Sequence, residues 1–164
     1  MNTWLHYLIF PFSVLYRFSI LFRNFCYDKN LLKTNQLPCN VISIGNISFG
    51  GTGKTPTVLY LCKMLQENKK KNIAILSRGY KRSTSGTVLV SSGNGPLKNW
   101  QAVGDESYMM AQKTKNIPIV VDSNRYRGGK YLIKNFNSKI IILDDGFQHR
   151  ALSRNLDIVL INGY

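Results

Sequence analysis

Three groups of residues in this chain of 164 have types and spacing that can do chemistry. The first is Gly50-Gly51-Thr52-Gly53-Lys54-Thr55, a glycine-rich stretch ending in a cation and a hydroxyl. Where a strand feeds such a stretch and a helix leaves it, backbone N–H groups turn inward around an anion. The new helix adds the positive end of its dipole. In that setting Lys54 reaches the β- and γ-phosphates of a nucleoside triphosphate, and the Thr55 hydroxyl holds Mg²⁺. The strict pattern has Gly six positions before the lysine; here Ser48 stands there, leaving Gly50 and Gly51 to do its work. A glycine-rich turn with a chance Gly-Lys-Thr is the plainer reading of the same letters.

The second group is Asp144-Asp145, delivered by the apolar run Ile140-Ile141-Ile142-Leu143. A carboxylate at the end of a buried strand, next to a phosphate loop, holds the Mg²⁺ shell in P-loop enzymes. Gln148 and His149 follow closely, with polar groups suited to orient metal waters or phosphate oxygens. An acidic turn with an ordinary loop histidine fits the spacing too. The third group is Asp105-Glu106 after Gly104, together with Arg78 and Arg82 after a buried run. Acids in a first helical turn are favoured by the dipole alone. Arginines at the C-terminal end of a parallel strand meet anionic substrates, or form a solvated basic loop.

Nine elements must position these groups. Val41 to Ile44 reads as a buried strand before the glycine loop, and Thr57 to Leu65 carries apolar residues at helical spacing after it. Ile73 to Leu76 is a second buried strand, delivering Arg78. Val88 to Val90 reads as a short strand or hairpin arm. Helices are expected over 107–115 and 128–136, and strands over 117–122, 140–145 and 157–161. Strands alternating with helices predict an α/β fold: a P-loop, mainly parallel sheet with flanking helices. Arg125, Arg127 and Gly128 follow the strand ending in Asp122.

The formal charge is +14, from 22 basic and 8 acidic residues, which favours anionic partners. The excess lies with residues 1–82, which hold 12 Lys and Arg against 2 acids. Lys69-Lys70-Lys71 reads most simply as a basic helix end, and no aromatic-basic motif supports a nucleic-acid partner. Cys26, Cys39 and Cys62 have no ligand-like spacing and fit reduced thiols. Residues 4–25 are the most apolar and aromatic part of the chain. They lack a basic leader region and a small-residue cleavage site, and Pro11 and Arg17 interrupt them. Arg17, Arg23, Lys29 and Lys33 at one end suit a helix lying in an anionic membrane face. A core helix of the same composition is the alternative. Residues 1–36 are therefore expected to be a membrane-associating helix and connector, and 37–164 the phosphate-loop core.

Taken in order, Gly50-Gly51-Thr52-Gly53-Lys54-Thr55-Pro56, Ser77-Arg78-Gly79-Tyr80, Gly104-Asp105-Glu106, Asp122 with Arg125 and Gly128, and Asp144-Asp145-Gly146-Phe147-Gln148-His149-Arg150 closely resemble the tetraacyldisaccharide 4′-kinase family. The resemblance covers nearly the whole chain. It implies transfer of the γ-phosphate of ATP to the 4′-hydroxyl of tetraacyldisaccharide 1-phosphate, giving lipid IVA, at the cytoplasmic face of the bacterial inner membrane. By the same resemblance ATP is held by Gly50, Gly51, Thr52, Gly53, Lys54 and Thr55. Thr55, Asp144, Asp145 and Gln148 stand on the Mg²⁺ side. Asp105 looks like the base that takes the sugar proton, with Asp145, His149 and Arg78 around the chemistry. Lys81 stands where the family usually has Gly, and Ser107 where it usually has Pro. Family members run to roughly twice this length, with further site residues, including a histidine partnering the catalytic aspartate. The chain thus resembles the N-terminal half, for which a separately encoded C-terminal half would be a partner. A membrane-attached ATP-binding module without transfer is the second reading.

Overall fold

Five strands run parallel and one antiparallel in a single six-stranded sheet ordered β3-β4-β2-β5-β1-β6. The strands are β1 (Asn40–Asn46), β2 (Ile73–Ser77), β3 (Val88–Ser91), β4 (Ile119–Val121), β5 (Ile140–Asp144) and β6 (Leu156–Leu160). The helices are α1 (Thr3–Asp28), α2 (Lys54–Glu67), α3 (Trp100–Val103), α4 (Asp105–Lys113) and α5 (Arg125–Phe136). This computed structural model describes residues 3–47 and 53–161, with side chains in α1 from Phe10 onward. Gly50, Gly51 and Thr52 lie outside the described residues.

Alternation along the strands builds two apolar layers. Ile44, Ile73, Ile75 and Ile142 point to one face, where α2 brings Val58, Leu61 and Cys62 and α4 brings Met110 and Ala111. Val41, Ala74, Leu76, Ile141 and Leu143 point to the other, where α5 brings Leu132. A parallel sheet covered on both faces needs strands that are apolar throughout, which is why β2 is buried at all five positions. Burial also pushes the Cys62 thiol up to about 12 and the Cys39 thiol to about 11, so neither ionises near neutrality. All three cysteines are free.

Chain order and spatial order differ at one place that matters. The chain goes from β1 to β2, yet β5 lies between them. Crevices of this kind, at the C-terminal ends of parallel strands, are where ligands bind in open α/β sheets.

The chain divides into two units, Met1–Thr34 and Asn35–Tyr164. The division falls just before the expected one, because Asn35 already belongs to the sheet unit: it bridges to Leu152, and its N–H donates to the Ala151 carbonyl at 2.9 Å. In the first unit, α1 runs straight through Pro11. The proline removes one backbone donor, so the carbonyl of residue 7 loses its intrahelical partner. Phe10, Phe12, Leu15, Tyr16, Phe18 and Phe22 are exposed along it, with Arg17 and Arg23. Among the described residues no helix is long and apolar enough to cross a membrane.

Two devices fix the loops that leave β2 and β4. Asp122, fully buried after β4, takes two hydrogen bonds from the Arg127 guanidinium at 2.8 Å each, one from the Asn124 N–H at 2.9 Å, and one from the Thr87 hydroxyl. Burial alone would raise its pKa; these hydrogen bonds outweigh burial and hold the carboxyl below the usual range. Arg82, which the sequence places toward an anionic substrate, is instead tied to the protein. Its guanidinium donates to the Val121 carbonyl at 3.0 Å and the Gly86 carbonyl at 2.7 Å, clasping the loop after β2 onto β4.

Lys81, in the loop after β2, has a φ of 56°. A residue with a Cβ is strained in this left-handed region by about 1–2 kcal/mol, and glycine is not. Lys81→Gly is therefore expected to raise stability by about 0.5–1 kcal/mol in urea melts; a loss of stability would contradict the strain. Asp122→Asn is expected to cost about 2–3 kcal/mol at pH 7. Because the folded pKa of Asp122 is depressed, its contribution is complete above the unfolded value of about 4 and fades as pH falls through the folded value. The gap between wild type and variant should accordingly shrink in melts below about pH 4, whereas a gap that stays constant down to acid would rule out the ionised clamp.

Candidate active site

Register alone brings the chemical groups together. Ile44 of β1 pairs with Asp144 of β5, so the chain leaves β1 toward the glycine loop directly beside that carboxylate. Leu76 of β2 pairs with Leu143, which puts Ser77 on the other side of Asp144. The Ser77 hydroxyl donates to Asp144 Oδ2 at 2.9 Å. The turn after β5 folds back on β1: the Gly146 N–H donates to the Ile44 carbonyl at 3.1 Å. That turn approaches so closely that a Cβ on Gly45 would lie 2.4 Å from the Cβ of Phe147.

Asp144 is 1 % exposed, and its Oδ1 has no hydrogen-bond partner. Burial pushes its pKa up, and Asp145 adds to this; Ser77, Lys54 and Arg125 pull it down. Asp145 is exposed and takes a left-handed φ of 54°, which turns its carboxylate out of the strand. Lys54 opens α2 from Gly53, whose φ of 77° makes the sharp entry. Its ammonium donates to Asn46 Oδ1 at 2.9 Å and lies 3.7 Å from Asp145 Oδ1. Thr55, next in the helix, is buried.

A cavity of about 250 Å³ is lined by Lys54, Ser77, Arg78, Tyr80, Gly104, Asp105, Glu106, Ser107, Asp144 and Asp145. Asp105 stands at the first position of α4, and its Oδ1 accepts the Glu106 N–H at 3.0 Å. Gly104 lets α4 start here, with φ at 88° and room only for a hydrogen where the Tyr80 carbonyl passes. Burial and the charges of Asp144, Asp105 and Asp145 push Glu106 up, with Lys54 offsetting part of this. Arg125, 2 % exposed at the start of α5, donates to the Asp122 carbonyl at 2.8 Å while its Nε has no partner. Burial lowers its pKa to about 10, with Arg78 adding to the fall.

Of the residues singled out in the sequence, Lys54, Arg78, Asp105, Asp144 and Asp145 share this cavity. His149 does not: it lines a separate hollow with Asn35, Ser123, Asn124, Tyr126 and Ala151. The turn closed by the His149 N–H on the Gly146 carbonyl carries it past the strand end. Gln148 is exposed in the same turn and is not among the residues lining the cavity. Asn46, Ser77 and Tyr80 were not singled out as site residues; Glu106, paired with Asp105 in the sequence, lines the cavity too. Ser77 had a readable signal, a polar residue ending a wholly apolar strand.

A family model described as tetraacyldisaccharide-1-P 4′-kinase matches residues 5–164. The tetraacyldisaccharide 4′-kinase of Aquifex aeolicus is 46 % identical across 93 % of this chain and 48 % of its own length. That of Halothermothrix orenii is 44 % identical across 94 % of this chain and 41 % of its own. A crystal structure of LpxK from Aquifex aeolicus in complex with ATP matches with a TM-score of 0.88 at 45 % identity, covering 96 % of this chain and 49 % of that one. The chain spans about half the length of the curated relatives it matches. With the family model running from residue 5 to the last residue and the sheet superposing closely on a solved relative, the chain belongs to the tetraacyldisaccharide 4′-kinase family.

Proposed function

We propose that this chain binds Mg²⁺-ATP in the cavity between Lys54 and Asp144 and directs the γ-phosphate to the 4′-hydroxyl of tetraacyldisaccharide 1-phosphate. The observation that carries this is the convergence of a helix-opening lysine, a buried acid with a free oxygen and an exposed acid at a helix start on one cavity. Phosphoryl transfer asks mainly for positioning and charge neutralisation. Lys54, aimed by Asn46 and Asp145, meets the β- and γ-phosphates from the α2 side. Arg78, exposed on the cavity wall, offers a second cation to the transferred group. Asp105 takes the proton of the attacking hydroxyl, its carboxylate oriented by the Glu106 N–H. His149 and Gln148 carry no step in this scheme.

The donor set fits Mg²⁺. Among the described residues no group of three or more His, Cys, Asp and Glu is gathered as a closed cage. Mg²⁺ needs none: it takes one or two carboxylates and keeps the rest of its shell for water and phosphate. The unpartnered Oδ1 of Asp144, with Thr55 and Asp145, would hold it. When bound it supplies charge neutralisation on the phosphates. We place the chain at the cytoplasmic face of the inner membrane, held by the exposed apolar side chains of α1 and its arginines.

Titration calorimetry with Mg²⁺-ATP tests the donor side. Lys54→Ala should weaken binding by about tenfold or more, the value of one charge-assisted hydrogen bond; equal affinity would remove the phosphate-loop assignment. Transfer of labelled γ-phosphate to the acceptor in detergent micelles tests the chemistry. It should fall by about 100-fold or more in Asp105→Ala while ATP still binds. Transfer that survives in Asp105→Ala would take that residue out of the reaction, and binding without transfer in wild type would favour the ATP-binding module.

A further inference from the structure

One rim of the cavity has a character that ATP does not explain. Between Asn68 and Gly104 the chain has no acid at all, but carries Lys69, Lys70, Lys71, Arg78, Lys81, Arg82 and Lys98. This segment also exposes large apolar side chains: Tyr80, which lines the cavity, is 67 % exposed, Leu97 57 % and Trp100 55 %. Hydrogen bonds join the two stretches that carry them. The Ser83 N–H donates to the Gln101 carbonyl at 2.8 Å and the Thr84 hydroxyl to the Ala102 carbonyl. A Cβ on Gly104 would meet the Tyr80 carbonyl at 2.8 Å. The loop after β2 is thus stapled along α3, and α3 leads straight into Asp105. Leu97 is anchored beside it, its N–H donating to the Val90 carbonyl at 2.7 Å.

A solvated loop does not need a Trp, a Tyr and a Leu turned to water beside two exposed lysines. Exposed aromatics with apolar bodies and polar tips, interleaved with Lys and free of acids, match the interface of an anionic bilayer. Nucleotide needs no such apolar rim. We propose that the Tyr80–Lys81 loop and the Leu97–Trp100 segment form a second membrane contact, separate from α1, that seats the mouth of the cavity on an anionic phospholipid surface. This rests on the reading of the acceptor as a lipid: the sugar hydroxyl then reaches Asp105 without its acyl chains leaving the bilayer.

The chain has two tryptophans, Trp4 in α1 and Trp100, so each contact can be read by itself. In the Trp4→Phe chain Trp100 is the sole indole. On addition of vesicles containing phosphatidylglycerol, its emission should move to the blue and be quenched by brominated acyl chains, and neither should occur with phosphatidylcholine alone. Trp100→Ser should lower partition into anionic vesicles by about tenfold. Lys81→Gln and Lys98→Gln should each lower it by about fivefold, an effect that fades with added salt. Trp100 emission that does not change with anionic vesicles, whether or not the chain binds them, overturns the second contact. Mg²⁺-ATP affinity, measured on the same variants without lipid, should not change. A failure there concerns the nucleotide site and not this surface.

Discussion

The site depends on one buried carboxylate that is only half satisfied. Asp144 ends the strand that the topology inserts between β1 and β2, with Ser77 on one oxygen and nothing on the other. Leaving a charged oxygen unpaired in a dry place costs on the order of several kcal/mol. A fold tolerates this where a ligand repays it. The neighbouring strain has the same sense: Asp145 accepts a left-handed backbone, at about 1–2 kcal/mol, and so faces the opening where Lys54 can reach it. The Ser77 hydroxyl and the Lys54 ammonium meet that pair of acids.

The cations divide by job according to what else they touch. Lys54 is held by Asn46 and Asp145 and stays in the cavity. Arg82 and Arg127 are consumed by the protein, one by backbone carbonyls and one by Asp122. Arg125 is buried and shares the field of the acids, opposing part of the rise that burial gives the Asp144 pKa. Arg78 remains on the cavity wall. A basic chain of +14 therefore spends part of its charge on scaffolding.

Much of this was legible in the letters because parallel strands buried on both faces write themselves as unbroken apolar runs. Ile73 to Leu76 and Ile140 to Leu143 could be read as strands, and the residues just past them as site residues, by that rule alone. The antiparallel pairing of β3, and the four-residue α3 capped by the Asn99 side chain, were harder: short elements carry too few residues to show a period. Side-chain direction was least visible. Spacing placed His149 four residues after Asp145, close to the acids, but the turn through Gly146 sends it to another hollow. Nor does spacing distinguish Arg78 from Arg82, since only the folded loop brings the carbonyls of Val121 and Gly86 to the second one.

The most direct test of the half-satisfied acid is the Mg²⁺ dependence of ATP binding, measured by calorimetry with and without a chelator in wild type and in Asp144→Asn. The amide keeps the shape and the Ser77 contact but removes the charge. In wild type, Mg²⁺ is expected to tighten ATP binding by about tenfold or more, since a buried carboxylate otherwise unpaired gains a partner. In Asp144→Asn that gain should vanish, while metal-free ATP, still held by Lys54 and the start of α2, binds as well as before or better. A variant in which Mg²⁺ strengthens ATP binding as much as in wild type would contradict the central claim.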